Sequence, residues 1–134
     1  MPGLDAAHAA NIVDASLGTA SFVATTTPIH VRFMTANGSA TANGTELATG
    51  GGYTSGTGAP TVTFASASTT TGQAASNAAV SVTNMPAATI VGVELWDSAG
   101  TPKRKWWGAL AANKTTASGD TFTIASGALT ATDL

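Results

Sequence analysis

Glu94 and Asp97 form the carboxylate pair closest to a workable acid–base arrangement, one on either side of Trp96. Such pairs work when one group donates and the other accepts a proton at a reacting bond. Their spacing sends them to opposite faces of an extended strand, which argues against catalysis. A structural role is simpler: Glu94 meets the basic stretch 103–105 as a cross-strand ion pair, because one short turn joins them. That stretch continues as Lys103-Arg104-Lys105-Trp106-Trp107 and holds three of the five cationic residues and two of the three tryptophans. Arg beside Trp is the composition of protein-interface anchors and of stacking platforms for bases or sugars. Its plainer reading is a turn with solvated charges leading into a strand. Alternation puts Trp106 and Trp107 on opposite faces, so one at most enters the core and the other is expected at a subunit interface.

The remaining chemical groups form no constellation. His30 and Arg32 share a strand face, read as a polar side that is exposed or meets a neighbouring subunit. His8 lies on an Ala-rich helical stretch, and two distant histidines do not make a zinc site. With no cysteine there is neither a thiol nucleophile nor a thiolate metal site. The Gly50-Gly51-Gly52 run lacks the Lys-Ser/Thr that reaches phosphates and reads instead as a flexible entry to a strand at Tyr53. No Gly-x-Ser-x-Gly elbow occurs. The chain is therefore expected to be no enzyme, with no catalytic, metal or cofactor site.

The groups that must be positioned sit in an unusual background. Among 134 residues, 28 Ala, 24 Thr, 15 Gly and 11 Ser make 78 small ones, whereas Leu, Ile, Val and Phe number 23. That is few for a core, but a net charge of −2 does not drive the chain apart. A folded β-rich domain with a thin core follows. Five basic residues cannot line a nucleic-acid groove, and no apolar run reaches the ~18 residues that span a membrane. The N-terminal residues show no signal-peptide pattern, so synthesis without export is expected and three Asn-x-Ser/Thr sequons are read as chance.

Residues 3–17 read as the one helix, with Asp5 as cap, Gly18 past its end, and Leu4, Ile12, Val13 and Leu17 as a narrow apolar stripe. Strands are expected at 21–26, at 29–34 and at 60–65. A turn-rich loop fills 36–52. Further strands follow at 77–84 and at 88–97, where Val91, Val93 and Leu95 oppose Ile90, Glu94 and Trp96. The last three are expected at 105–111, around Phe122 and Ile124, and at 128–132. About eight short strands without intervening helices predict a mainly β fold, an antiparallel β-sandwich or small barrel preceded by one N-terminal α-helix. Residues 1–18 read as a helical arm and 19–134 as the β domain, one domain overall.

Several segments, in order, carry a resemblance. They are DAAHAANIVDASLG, TPIHVRFMTA, GTELATGGGY with TVTF, VTNMPAATIVGVELWDSAG, and the ending GALAANKTTASGDTFTIASGALTATDL. Together they resemble small virion surface proteins of tailed phages, common in phages of actinobacteria and described as capsid decoration or tail-fibre-like proteins. The most specific pieces are Val93-Glu94-Leu95-Trp96-Asp97 and the stretch from Gly119-Asp120-Thr121 to Gly127-Ala128-Leu129-Thr130. The resemblance covers nearly the whole chain and brings no catalytic residue with it.

It implies a virion structural protein, and two places on the particle follow. A free-standing fibre needs a heptad or repeat shaft, which this sequence lacks. A decoration protein needs only a small domain in many copies, so the sequence favours binding to the outside of the assembled shell. There it would stabilise the major capsid protein lattice by mass action. The alternative is a tail-fibre or tail-associated protein that meets tail proteins and binds a receptor or glycan through Tyr53, Trp96, Trp106 and Trp107. The thin core further predicts a homo-oligomer, a trimer being the natural form on local three-fold positions. Leu4, Ile12 and Leu17 on the arm, with Lys103, Arg104, Lys105, Trp106 and Trp107 on the strand, are the candidate interface residues.

Overall fold

Alternation of side chains along the chain builds a β fold around one long hairpin. The computed structural model describes residues 3–132, so residues 1, 2, 133 and 134 at the ends of the expected arm and domain lie outside the described residues. In chain order the elements are β1 (Gly3–Leu4), α1 (Ala6–Ser16), β2 (Ile29–Ala36), β3 (Thr45–Glu46), β4 (Thr61–Val62) and β5 (Gln73–Ala75). They continue with β6 (Val80–Val82), β7 (Ala88–Trp96), β8 (Arg104–Thr116), β9 (Phe122–Ile124) and β10 (Thr130–Thr132). The main sheet runs β1-β8-β7-β2-β3, with β4 pairing the start of β2. Two ribbons, β5 with β10 and β6 with β9, complete the set, and every pairing is antiparallel. The mainly β class with one N-terminal helix is as expected, in ten short strands. The sheet ends on open edges and does not close into a barrel.

The period-2 pattern is cleanest in β6 and β9. Val80 opposes Ile124 and Val82 opposes Phe122 on the buried face, while Ser81 and Thr123 face outward and join at 2.9 Å. Phe122 lies 4.8 Å from Phe33 of β2, ring centre to ring centre, which lays this ribbon across the sheet. Phe33 also stacks on Tyr53 at 5.1 Å. Val31, Met85, Ile90, Val93 and Leu95 fill the space around these rings. The core is thin but continuous.

Three expectations fail for local reasons. Ile90 was expected on the face opposite Val93 and Leu95, yet it shares their core. From Ile90 to Gly92 strand β7 advances two residues while β8 advances five, from Lys114 to Ala109. The three extra residues belong to β8, and the regular alternation of the pair is interrupted between Ile90 and Gly92. Residues 21–26 have strand composition but no strand lies beside them, and they stay irregular. The Gly50–Gly52 run is no flexible entry. Gly50 bridges Tyr53, Gly52 N–H donates to the Asn84 carbonyl at 2.6 Å, and Gly51 takes φ +55°. A Cβ on Gly52 would run into the Thr83 carbonyl oxygen. Gly52→Ala is therefore expected to cost about 2 kcal/mol through backbone displacement, measured by urea denaturation against wild type.

Candidate functional site

Charged side chains converge where the chain start meets the β7–β8 hairpin. Asp5 caps α1, its Oδ1 accepting the Ala7 N–H at 3.0 Å. Its other oxygen accepts from Arg104 Nε at 3.0 Å and Nη2 at 2.8 Å. Arg104 Nη1 donates to Glu94 Oε1 at 2.9 Å, and further N–H groups reach the carbonyls of Ser39, Ala40 and Ala42. One guanidinium thus ties the N-terminal segment and the 39–42 loop to the sheet. Glu94 is 1% exposed and is itself saturated, accepting Gly44 N–H at 2.7 Å and Trp96 Nε1–H at 3.0 Å. The cross-strand ion pair expected between Glu94 and the basic stretch is formed, and Arg104 is the residue that forms it.

The network continues across β2. Arg32 lies over the Trp96 ring, 4.0 Å from its centre, and faces Glu46 at 3.6 Å. Glu46 Oε1 accepts the Tyr53 O–H at 2.8 Å and the Gly56 N–H at 2.8 Å. Burial, with the adjacent Glu46 carboxylate, raises the Tyr53 phenol well above its usual pKa, so it remains a donor.

Asp97 closes the hairpin turn. Its Oδ1 accepts from Lys103 N–H at 2.7 Å and from Ala99 N–H at 3.4 Å, and its Oδ2 meets Lys105 Nζ at 3.1 Å. Burial opposes the charged form, but these three donors outweigh it and hold the carboxyl below its ordinary range. A depressed folded-state value contributes stability above the unfolded pKa, and that contribution is lost as pH falls through the folded one. Asp97→Asn is expected to lower Tm at pH 7 and to flatten the acid limb of the Tm–pH curve. An unchanged acid limb contradicts this role.

The candidate interface residues fall into three groups. Arg104 and Lys105 are buried in ion pairs of their own chain, not solvated as a turn would leave them. Trp106 packs half-buried against the core, and Trp107, also half-buried, donates Nε1–H to the Leu4 carbonyl at 3.3 Å. Leu4 and Ile12 are half-buried, while Lys103 and Leu17 are exposed. His30 is buried, its Nδ1–H donating to the Ala59 carbonyl at 2.8 Å, and is not displayed on a polar face as its alternation with Arg32 predicts. The feature missing from the sequence reading is Asp5 as partner of Arg104, 99 positions away. Its only signal was a cap residue with a second oxygen to spare.

Three depressions flank this architecture. A polar cleft of about 290 Å³ lies between Asn11, Asn43, Trp96 and Lys103, and a smaller one of about 130 Å³ lies between Arg32, Asn43 and Glu46. An apolar groove of about 330 Å³ runs between Thr25, Ile29, Phe64, Ala74 and Trp106, with His8 on its wall. Burial, then the Lys105 charge, lower the His8 pKa. Among the described residues no group of three or more His, Asp or Glu is placed to hold a metal ion, and no helix is long and apolar enough to cross a membrane.

The charges of Asp5, Glu94, Asp97, Arg104 and Lys105 are held in ion pairs within this chain. Over residues 3–132 the chain matches the family described as Podophage GP4 fiber I protein gp80, and it belongs to that family. It is a phage structural protein of fibre-like type. No curated protein matches it.

Proposed function

We propose that this chain is a non-enzymatic structural subunit of a phage fibre, present in several copies per particle. The observation that supports it most is the match of residues 3–132 to a family described by its fibre. The saturated Asp5–Arg104–Glu94 cluster adds to it. A carboxylate at 1% exposure with Arg, Trp and backbone donors on its oxygens stiffens the domain and has no reach to a substrate. Stiffness without chemistry is what a mechanical subunit needs.

A second reading, decoration of the capsid exterior beside the major capsid protein, is favoured by one feature. The strands pack around one short-stranded core, and the sequence carries no repeat from which a shaft would grow. Gold-labelled antibody against the chain separates the two on intact particles. Label along the fibres is expected. Label over the shell overturns the fibre reading in favour of decoration, and unlabelled particles overturn both.

A further inference from the structure

The large apolar side chains left exposed among the described residues all fall within one stretch of eleven positions: Val13 at 53%, Leu17 at 72%, Phe22 at 61% and Val23 at 63%. The first two lie on α1 or just past it, and the others lie in the irregular segment that follows. Elsewhere this chain spends its few large apolar residues on the core, so four in the open at one place are conspicuous. The backbone there is equally unpartnered. Among the described residues, no hydrogen bond is formed by the N–H or C=O groups of residues 21–25; pairing resumes only where the Thr26 carbonyl accepts the Ser98 N–H at 3.0 Å. The segment has the composition of a strand and no strand to pair with.

The apolar groove begins where this segment ends. Thr25 and Thr27 form part of its wall, so Phe22 stands within roughly 10 Å of the groove in chain length. The groove holds about 330 Å³, walled by Ile29, Phe64, Ala74 and Trp106 among others. A dry pocket of ~150 Å³ is enough for a benzene-sized group. Each molecule therefore carries one apolar knob and one apolar hole side by side, the self-complementary pattern that a symmetric or ring-closed contact requires.

We propose that Phe22 of one copy enters the groove of a second copy, so that residues 20–25, with Val13 and Leu17 beside them, are the contact through which copies of this chain assemble. This rests on the multi-copy reading above and supplies its contact. Charge selects the occupant: no Asp, Glu, Lys or Arg occurs from residue 15 to residue 31. Lys105 on the groove wall is neutralised by Asp97 at 3.1 Å. Neither face attracts an acidic or basic partner, whereas each matches the other. The area is also of the right order. Four side chains at these exposures offer roughly 400 Å² of apolar surface per copy. Reciprocal burial of two such patches with the Ala and Thr residues around them approaches the ~1,200 Å² at which specific interfaces begin.

Sedimentation of the full chain over a range of concentrations tests this, with two kinds of variant. Wild type is expected to sediment as a dimer or trimer. Phe22→Asp with Val23→Asp is expected to weaken association at least ~30-fold and to keep cooperative thermal unfolding, since neither side chain is in the core. The chain has no cysteine, so Ser21→Cys and Ala67→Cys, the latter on the groove wall, each introduce a unique thiol. Oxidation of a mixture of the two single variants is expected to give a disulfide between different chains. A wild type that stays monomeric at every concentration overturns the proposal. So does an oligomer indifferent to the double Asp substitution, or a Ser21→Cys/Ala67→Cys chain that closes its disulfide only within itself. None of these outcomes bears on where the protein sits on the particle, which the antibody label reads separately.

Discussion

Arg104→Met is expected to lower the free energy of unfolding by about 4 kcal/mol, because it breaks a buried ion pair from one side. Methionine keeps most of the volume and removes the charge. It leaves the Glu94 carboxylate, 2% exposed at its side chain, facing an apolar neighbour, and strips Asp5 and three loop carbonyls of their donor. The half-buried Arg32–Glu46 contact, at 3.6 Å, is too long for a charge-assisted hydrogen bond and is no rival for this role. Against a total stability of roughly 5–15 kcal/mol for a domain, the loss is large. A Tm lower by roughly 10–20 °C is expected in calorimetry. The double variant Arg104→Met/Glu94→Gln is expected to recover part of the loss, since the orphaned charge is then gone. A single-variant loss below ~1 kcal/mol would mean that the cluster is ornamental.

Phe33→Ala is expected to cost as much, about 4 kcal/mol, by another route. Phe33 is fully buried between Tyr53 and Phe122, and it joins the sheet to the β6–β9 ribbon. Removing the ring opens a cavity that two aromatic neighbours cannot collapse into without leaving their own contacts. The loss is expected to be insensitive to Glu94→Gln, which separates it from the Arg104 effect in the same denaturation experiment. With so few large apolar residues in the chain, one ring is a large share of the core.

These two residues also mark how far the sequence could be read. Phe33 was legible, because Ile29, Val31 and Phe33 alternate after Pro28 and alternation alone assigns a strand and its inner face. The Glu94 ion pair was legible too, since a short turn brings the ends of β7 and β8 together. The identity and direction of Arg104 were not. A basic residue beside tryptophans reads as a surface anchor, and acceptors distant in sequence, Asp5 and the 39–42 carbonyls, join Glu94 in turning it inward. Ile90 departs from simple alternation where a bulge in β8 interrupts the pairing, and a bulge leaves no mark in the composition of β7. Residues 21–26 failed for the opposite reason: their preference for a strand is real, but a strand needs a neighbour, and one copy of the chain offers none.

We propose a stiff fibre subunit whose unpaired segment is completed by another copy. An electron cryo-microscopy map of the intact particle tests both halves at once. The β fold should fit density in the fibre, with residues 20–25 of one copy lying along the Ile29–Phe64–Trp106 groove of the next. Density for the domain on the outer face of the shell, or copies in the fibre that meet elsewhere with Phe22 open to solvent, would contradict it.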